Sequence, residues 1–185
     1  MNWPSGLRII AGSRKGARLY APKGLDVRPT GDRVREAVFN LIGPVDGADV
    51  LDLFAGTGAL GLEALSRGAA SAVFVDSDRA AAETIVKNVD KLGLDGAHIY
   101  REDASRRLAS EVAAGRRYDL VLVDPPYRML SKFLPMLATR LPAVVSPDGL
   151  VVVESEAKEE PELPLPLRTS RTYGSTRVTL FEGVR

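Results

Sequence analysis

Asp49-Val50-Leu51-Asp52-Leu53-Phe54-Ala55-Gly56-Thr57-Gly58-Ala59-Leu60-Gly61-Leu62-Glu63-Ala64-Leu65 is the stretch whose reading decides the fold. Asp49 to Phe54 reads as a buried strand carrying one carboxylate, Asp52. A glycine turn follows, and a helix opens near Ala59 with Leu60, Ala64 and Leu65 on its apolar side. Glycines at 56, 58 and 61 complete the Gly-x-Gly-x-x-Gly pattern, in which bare backbone lets a small, nucleoside-like ligand approach a helix N-terminus.

Downstream the same alternation continues. Strands are expected at 49–54, 71–76, 97–101, 118–124 and 149–154, and helices at 59–67, 78–92, 104–114 and 129–141. Five β-rich segments separated by helices imply a parallel sheet covered on both faces. From Glu154 to Pro166 the chain turns acidic and proline-rich, and 167–173 and 175–182 then alternate around Gly174 as an antiparallel hairpin. The expected fold is α/β: Rossmann-like, doubly wound, with a mostly parallel seven-stranded sheet and a C-terminal antiparallel hairpin.

Upstream, Leu7 to Ala11 and Ala17 to Ala21 read as two short strands joined by Gly12-Ser13-Arg14-Lys15-Gly16, a basic-tipped hairpin. Two strands alone are marginal in water, so this hairpin either packs on the body or firms up against a partner. A helix from Asp32 to Ile42 follows, capped by Thr30 or Asp32, with Val34, Ala37, Val38 and Leu41 as its buried face. Arg33, Glu36 and Asn40 fall off that stripe. Arg28-Pro29-Thr30 sits at the helix mouth, either as an anchor for an anionic ligand or as a capped surface turn. The division expected is a basic hairpin-and-helix extension over 1–45 and a body over 46–185.

Charge follows the same division. The whole chain of 185 residues carries +1, but residues 1–35 carry +6 and the rest −5. A basic arm on an acidic body fits a polyanionic partner, and fits a solvated surface equally well. With no cysteine and a single histidine, His98, thiol nucleophiles and Cys- or His-based metal sites are excluded, so no metal is expected. No run approaches the roughly 20 apolar residues that span a bilayer, and the N-terminus lacks a signal pattern, so a soluble cytoplasmic protein is expected. Trp3 and His98 are expected to be packing residues, and Arg106-Arg107 and Arg116-Arg117 solvated helix ends.

In open parallel sheets ligands sit beyond the carboxyl ends of the strands, and here four strands carry, end on or are followed by an acid, Asp52 in the first. Asp76 follows Gly56 by 20 residues, the separation at which a carboxylate reaches ribose hydroxyls. Asp103 follows strand three and Asp124 ends strand four. Asp52, inside an apolar strand, is costly unless a cation pairs with it. That favours a ligand with an ammonium group, such as S-adenosyl-L-methionine, over a dinucleotide. Asp124-Pro125-Pro126-Tyr127 makes a rigid, donor-poor turn with free carbonyls and an aromatic face. Such a turn can hold the amino group of a nucleobase while Tyr127 stacks on the ring.

These residues resemble a known family. Arg8-Ile-Ile-Ala-Gly12, the segment from Arg28 to Asn40, the segment from Asp52 to Gly68 and Asp124-Pro-Pro-Tyr127 are together similar to the RsmD-type bacterial 16S ribosomal RNA guanine-N2 methyltransferases. The resemblance covers nearly the whole chain; Asp-Pro-Pro-Tyr by itself is shared with DNA adenine and other amino-methylating enzymes. It implies S-adenosyl-L-methionine as cofactor, S-adenosyl-L-homocysteine as product, and N2-methylguanine at the position conventionally numbered 966, made by a monomer on the small subunit or its assembly intermediate. By resemblance Asp52 meets the methionine amine, Gly56 and Gly58 the cofactor backbone, Asp76 the ribose, and Asp103 and Ala104 the adenine. Thr30, Arg33, Ala55, Leu60, Ser77 and Asp124 complete the expected cofactor set. Asp124 and the Pro125 carbonyl hold the target amine, Tyr127 takes the base, and Arg8, Arg14, Lys15, Arg18, Lys23 and Arg28 meet RNA phosphates. The pattern departs at Asp76-Ser77-Asp78, where relatives often carry Glu and Lys, which leaves Asp76 rather than Asp78 as an assignment. Rival readings are a DNA adenine or protein-amide methyltransferase, a non-enzymatic RNA-binding module and a pyridine-nucleotide oxidoreductase; the last leaves Asp52 and the Asp-Pro-Pro-Tyr turn unexplained.

Overall fold

The computed structural model describes residues 7–21, 31–126 and 129–184. Trp3, Lys23, Arg28, Thr30 and Tyr127 lie outside them. After an arm over 7–21 come α1 (Asp32–Ile42), β1 (Asp49–Leu53), α2 (Ala59–Ser66), β2 (Ser71–Asp76), α3 (Arg79–Leu92) and β3 (Ala97–Arg101). Then follow α4 (Ala104–Ala113), β4 (Tyr118–Val123), α5 (Leu130–Val144), β5 (Val145–Glu156), β6 (Leu167–Tyr173) and β7 (Thr176–Glu182). The strands lie in the order β3-β2-β1-β4-β5-β7-β6. Neighbours from β3 through β5 pair in parallel, and β7 runs antiparallel between β5 and β6. The chain winds outward from β1 in both directions, so the switch point falls between β1 and β4.

The pleat divides the central strands between two cores, because successive side chains point to opposite faces. Val50, Phe74, Leu122 and Val152 join the core that includes residues of α1, α2, α3 and the arm. Leu51, Val75, Val123 and Val153 join the one that includes α4 and α5. Burial on both faces explains why these strands read as apolar runs rather than as alternating ones. No helix among the described residues is long and apolar enough to cross a membrane.

Several expectations are corrected. The arm is a hairpin held by a single antiparallel bridge, Arg8 to Arg18, with a 3-10 turn over Gly12–Arg14, and not two strands. It packs on the body through Leu7, Ile9 and Leu19, which supply the apolar contacts that a two-stranded ladder lacks. On α1 the fully buried positions are Arg35, Val38, Phe39 and Ile42, a stripe turned one residue from the one expected. Arg35 is buried because its guanidinium reaches Asp32 Oδ1 at 2.9 Å, Glu63 at 3.8 Å and the Arg8 carbonyl. Asp32 does not cap the helix: Gly31 is the N-cap residue, and the Asp32 carboxylate holds Arg35 and Arg8 instead. α2 is buried all round from Leu60 to Ser66, Glu63 included, and not on one side only.

α5 runs through Pro142 to Val144, and β5 starts at Val145 and continues to Glu156. A proline inside a helix costs about 3 kcal/mol or more, whereas complete burial of Leu141 and Val144 contributes about 1.5–3 kcal/mol each. Packing outweighs the proline. Arg107 is no solvated helix end: it bonds Glu111 and stacks 3.8 Å from the Tyr100 ring centroid. Arg117 donates to the Val145 carbonyl at 2.9 Å, while His98 is exposed on β3.

Candidate active site

A cavity of about 920 Å³ opens beyond the carboxyl ends of β1, β2, β4 and β5, where open α/β sheets take ligands. Its floor is the turn after β1. Phe54 (φ 62°) and Gly56 (φ 56°) are left-handed, and Gly58 (φ 78°) is the N-cap of α2. The turn is fixed by the Ala55 N–H donating to the Val75 carbonyl at 2.9 Å and the Gly58 N–H donating to the Ala55 carbonyl at 2.7 Å. Gly61 has a different task. A Cβ there would stand 2.4 Å from the Phe74 ring, so only glycine lets α2 lie this close to the sheet. That approach brings the Gly61 N–H to Asp52 Oδ2 at 2.9 Å.

Asp52 is 1% exposed. Burial, reinforced by Asp124 and Asp76 and opposed by the Gly61 hydrogen bond, pushes its carboxyl up to about 8. At neutral pH it is mostly protonated until a cation reaches it, when ionisation becomes favourable. Asp76 accepts from the Gly56 N–H at 2.8 Å and from the Asp78 N–H at 2.9 Å, tying the turn to the start of α3. Asp78 caps α3 by accepting from Ala81 N–H at 2.8 Å. Asp103 caps α4 through Ser105 and Arg106, and Ala104 opens that helix in the cavity wall.

Asp124 and Pro125 enter the same wall from the end of β4, Asp124 half-buried and Pro125 buried. The proline after Asp124 removes a donor, and the Pro126 carbonyl accepts from Met129 N–H at 3.0 Å, which closes the turn. Among the expected cofactor residues, Ala55, Leu60 and Ser77 also line the cavity. Gly58 is buried behind the wall against Ile85, and Arg33 stands exposed on α1 outside it. Of the arm cations, Lys15 and Arg18 are exposed and Arg8 pairs with Asp32 at 2.9 Å. Arg14 donates to the Leu92 and Gly93 carbonyls at the end of α3.

Sequence reading missed part of the wall. Phe54 and Phe133 meet there at 4.7 Å between centroids, tilted by 52°. Glu154 and Tyr173 line the side formed by β5 and the β6–β7 hairpin. The signal for Glu154 was present in Val151-Val152-Val153-Glu154, another apolar strand ending on acid.

Residues 7–182 match the family described as Conserved hypothetical protein 95. The chain belongs to that family. YlbH of Bacillus subtilis strain 168 is 40% identical over 185 residues, covering 95% of this chain and 98% of that one. Ribosomal RNA small subunit methyltransferase D of Escherichia coli K12 is 40% identical over 155 residues, 82% of this chain and 76% of its own. The solved structure of yhhF from Escherichia coli superposes with a TM-score of 0.83 at 37% identity, covering 96% of this chain and 98% of that one. This family member is a methyltransferase of the RsmD type.

Proposed function

We propose that this chain transfers the methyl group of S-adenosyl-L-methionine to the exocyclic N2 of a guanine in 16S ribosomal RNA of the small subunit or its assembly intermediate. The observation that carries this reading is that Asp52, the glycine turn and the Asp124-Pro125 turn all line one cavity. The 40% identity to a small-subunit rRNA methyltransferase supports the substrate class.

Asp52 pairs with the methionine ammonium of the cofactor, whose positive charge offsets the cost of ionising a buried carboxyl. Asp76, which ends β2 and is tied to the glycine turn through the Gly56 N–H, accepts the ribose hydroxyls on its remaining lone pairs. Ala104 borders the adenine. On the acceptor side, Asp124 and the Pro125 carbonyl accept hydrogen bonds from the guanine N2 amine and aim its lone pair at the methyl carbon. When bound, S-adenosyl-L-methionine would supply an electrophilic methyl group for in-line attack by that nitrogen and would leave as S-adenosyl-L-homocysteine. N2 then loses a proton to Asp124 or water. The sulfonium is already a strong electrophile, so the protein contributes mainly orientation and desolvation. Residues 1–45 contact RNA through Arg8, Lys15, Arg18 and neighbouring cations, while 46–185 carry the chemistry. The protein works as a monomer in the cytoplasm.

Asp124→Ala tests this directly. It is expected to lower methyl transfer to ribosomal subunits at least about 100-fold, the lower range for a positioned acid or base, with S-adenosyl-L-homocysteine affinity kept within a few-fold. Near-normal turnover would remove Asp124 from the mechanism.

A further inference from the structure

The arm and the glycine turn share a buried side chain that lies outside the cavity wall. Asn88, on α3, is fully buried and absent from the cavity wall. Its Oδ1 accepts from the Tyr20 N–H at 2.6 Å, and its Nδ2 donates to the Tyr20 carbonyl at 3.1 Å and to the Thr57 carbonyl at 3.0 Å. The side-chain amide therefore pairs with the arm as a strand would, and spends its other proton on the loop between Gly56 and Gly58. Docking the arm alone would need only the two bonds to Tyr20.

A second tether runs in parallel. Glu63, also fully buried, accepts from Ile10 N–H at 2.8 Å and Ala11 N–H at 2.9 Å. Ser66 Oγ donates to the Ala11 carbonyl at 2.7 Å and accepts from Arg14 N–H at 3.0 Å. Both side chains sit on α2, the helix whose Gly61 N–H holds Asp52. Displacing the arm thus pulls on the Thr57 carbonyl and on the helix that positions Asp52.

We propose that Asn88 is a positioning residue that couples the arm to the glycine turn, so that cofactor and RNA each strengthen the binding of the other. This rests on the proposed function, in which the turn holds the cofactor and the arm meets RNA. Each ligand orders a part that the other needs, and the linkage is reciprocal.

The test is amide exchange on the full chain with saturating S-adenosyl-L-homocysteine, followed by binding to small subunits that lack the methyl group. The Tyr20 N–H reads the Asn88 bond itself. Cofactor product is expected to slow exchange over 17–21 as well as over 55–62, and to raise affinity for subunits by about 5-fold or more, the low end of measured couplings. Asn88→Ala is expected to keep the slowing over 55–62 and to lose both the slowing over 17–21 and the gain in subunit affinity. A purely structural role would lower the melting temperature and leave that gain intact. Unchanged exchange over 17–21 in the wild-type chain, where the turn itself is protected, overturns the coupling and leaves the proposed function standing; this holds even if Asn88→Ala fails to fold. Failure of S-adenosyl-L-homocysteine to bind at all overturns both.

Discussion

Asp52 concentrates the chemistry of the site into one titration. Its carboxyl stands near 8 in the folded chain against 3.8 in the open one, so the native state holds a proton that the unfolded state gives up. The contribution to stability is complete below about 4 and is lost as pH rises through about 8. Without ligand, the melting temperature should therefore fall from pH 5 to pH 8 more steeply than that of Asp52→Asn. Pairing with an ammonium group reverses the preference. Cofactor binding near pH 6.5 is expected to release close to one proton, measured by calorimetry in buffers of different ionisation enthalpy, and Asp52→Asn should abolish the release; identical proton counts in the two proteins would contradict the pairing. Gly61 supports the same carboxyl. Gly61→Ala forces a Cβ to 2.4 Å from the Phe74 ring and 3.0 Å from Asp52 Oδ2, which should destabilise the chain by about 1–3 kcal/mol, read by denaturant melts. At this scale Asp52, Asp76 and Asp124 stood out because each breaks or ends an apolar run, and Asp103 because it follows the third strand. Arg35, Glu63 and Asn88 were not, because nothing local distinguishes a buried polar residue on a helix from an exposed one until its distant partners are known.

Elements were legible where period and punctuation agreed. The helices expected at 78–92 and 104–114 match α3 and α4 to within a residue at each end, where Asp78, Gly93 and Asp103 stand as caps. The α5–β5 junction was hidden because Pro142 reads as a stop, while burial of Val144 and Val145 carries the helix into the strand without a loop. The arm was read as two strands between turn residues, but its partners are α1, α2 and α3 and not a sheet. Gly12 shows how close α2 is: at φ +82°, a Cβ there would stand 1.8 Å from the Ser66 carbonyl oxygen. Gly12→Ala is therefore expected to undock the tip of the arm, with proteolysis over 10–18 accelerated at least several-fold while α4 and α5 keep their exchange protection. Unaltered cleavage would mean that the arm does not depend on this contact.

Over the whole molecule, two features organise function: a switch point between β1 and β4 that gathers acidic strand ends around one cavity, and a basic arm clasped to the helices behind it. A mostly parallel sheet covered on both faces followed from the alternation of strands and helices; the order of its strands and the route by which the arm reaches the glycine turn did not, the latter because it depends on contacts 31 to 68 residues apart in sequence. If the arm meets phosphates, log affinity for single-stranded RNA should fall with log salt by about 0.7 for each phosphate neutralised. Lys15→Ala with Arg18→Ala, both exposed, should then flatten that slope by about 1.4 in filter-binding assays; an unchanged slope would move the RNA surface elsewhere. The most direct measurement is transfer of a labelled methyl group from S-adenosyl-L-methionine to small ribosomal subunits from a strain lacking this activity, with DNA in parallel and nucleosides analysed afterwards. Label in N2-methylguanosine at a single site of 16S ribosomal RNA is the expected result. Label confined to DNA or protein, or no label although the cofactor binds, would contradict it.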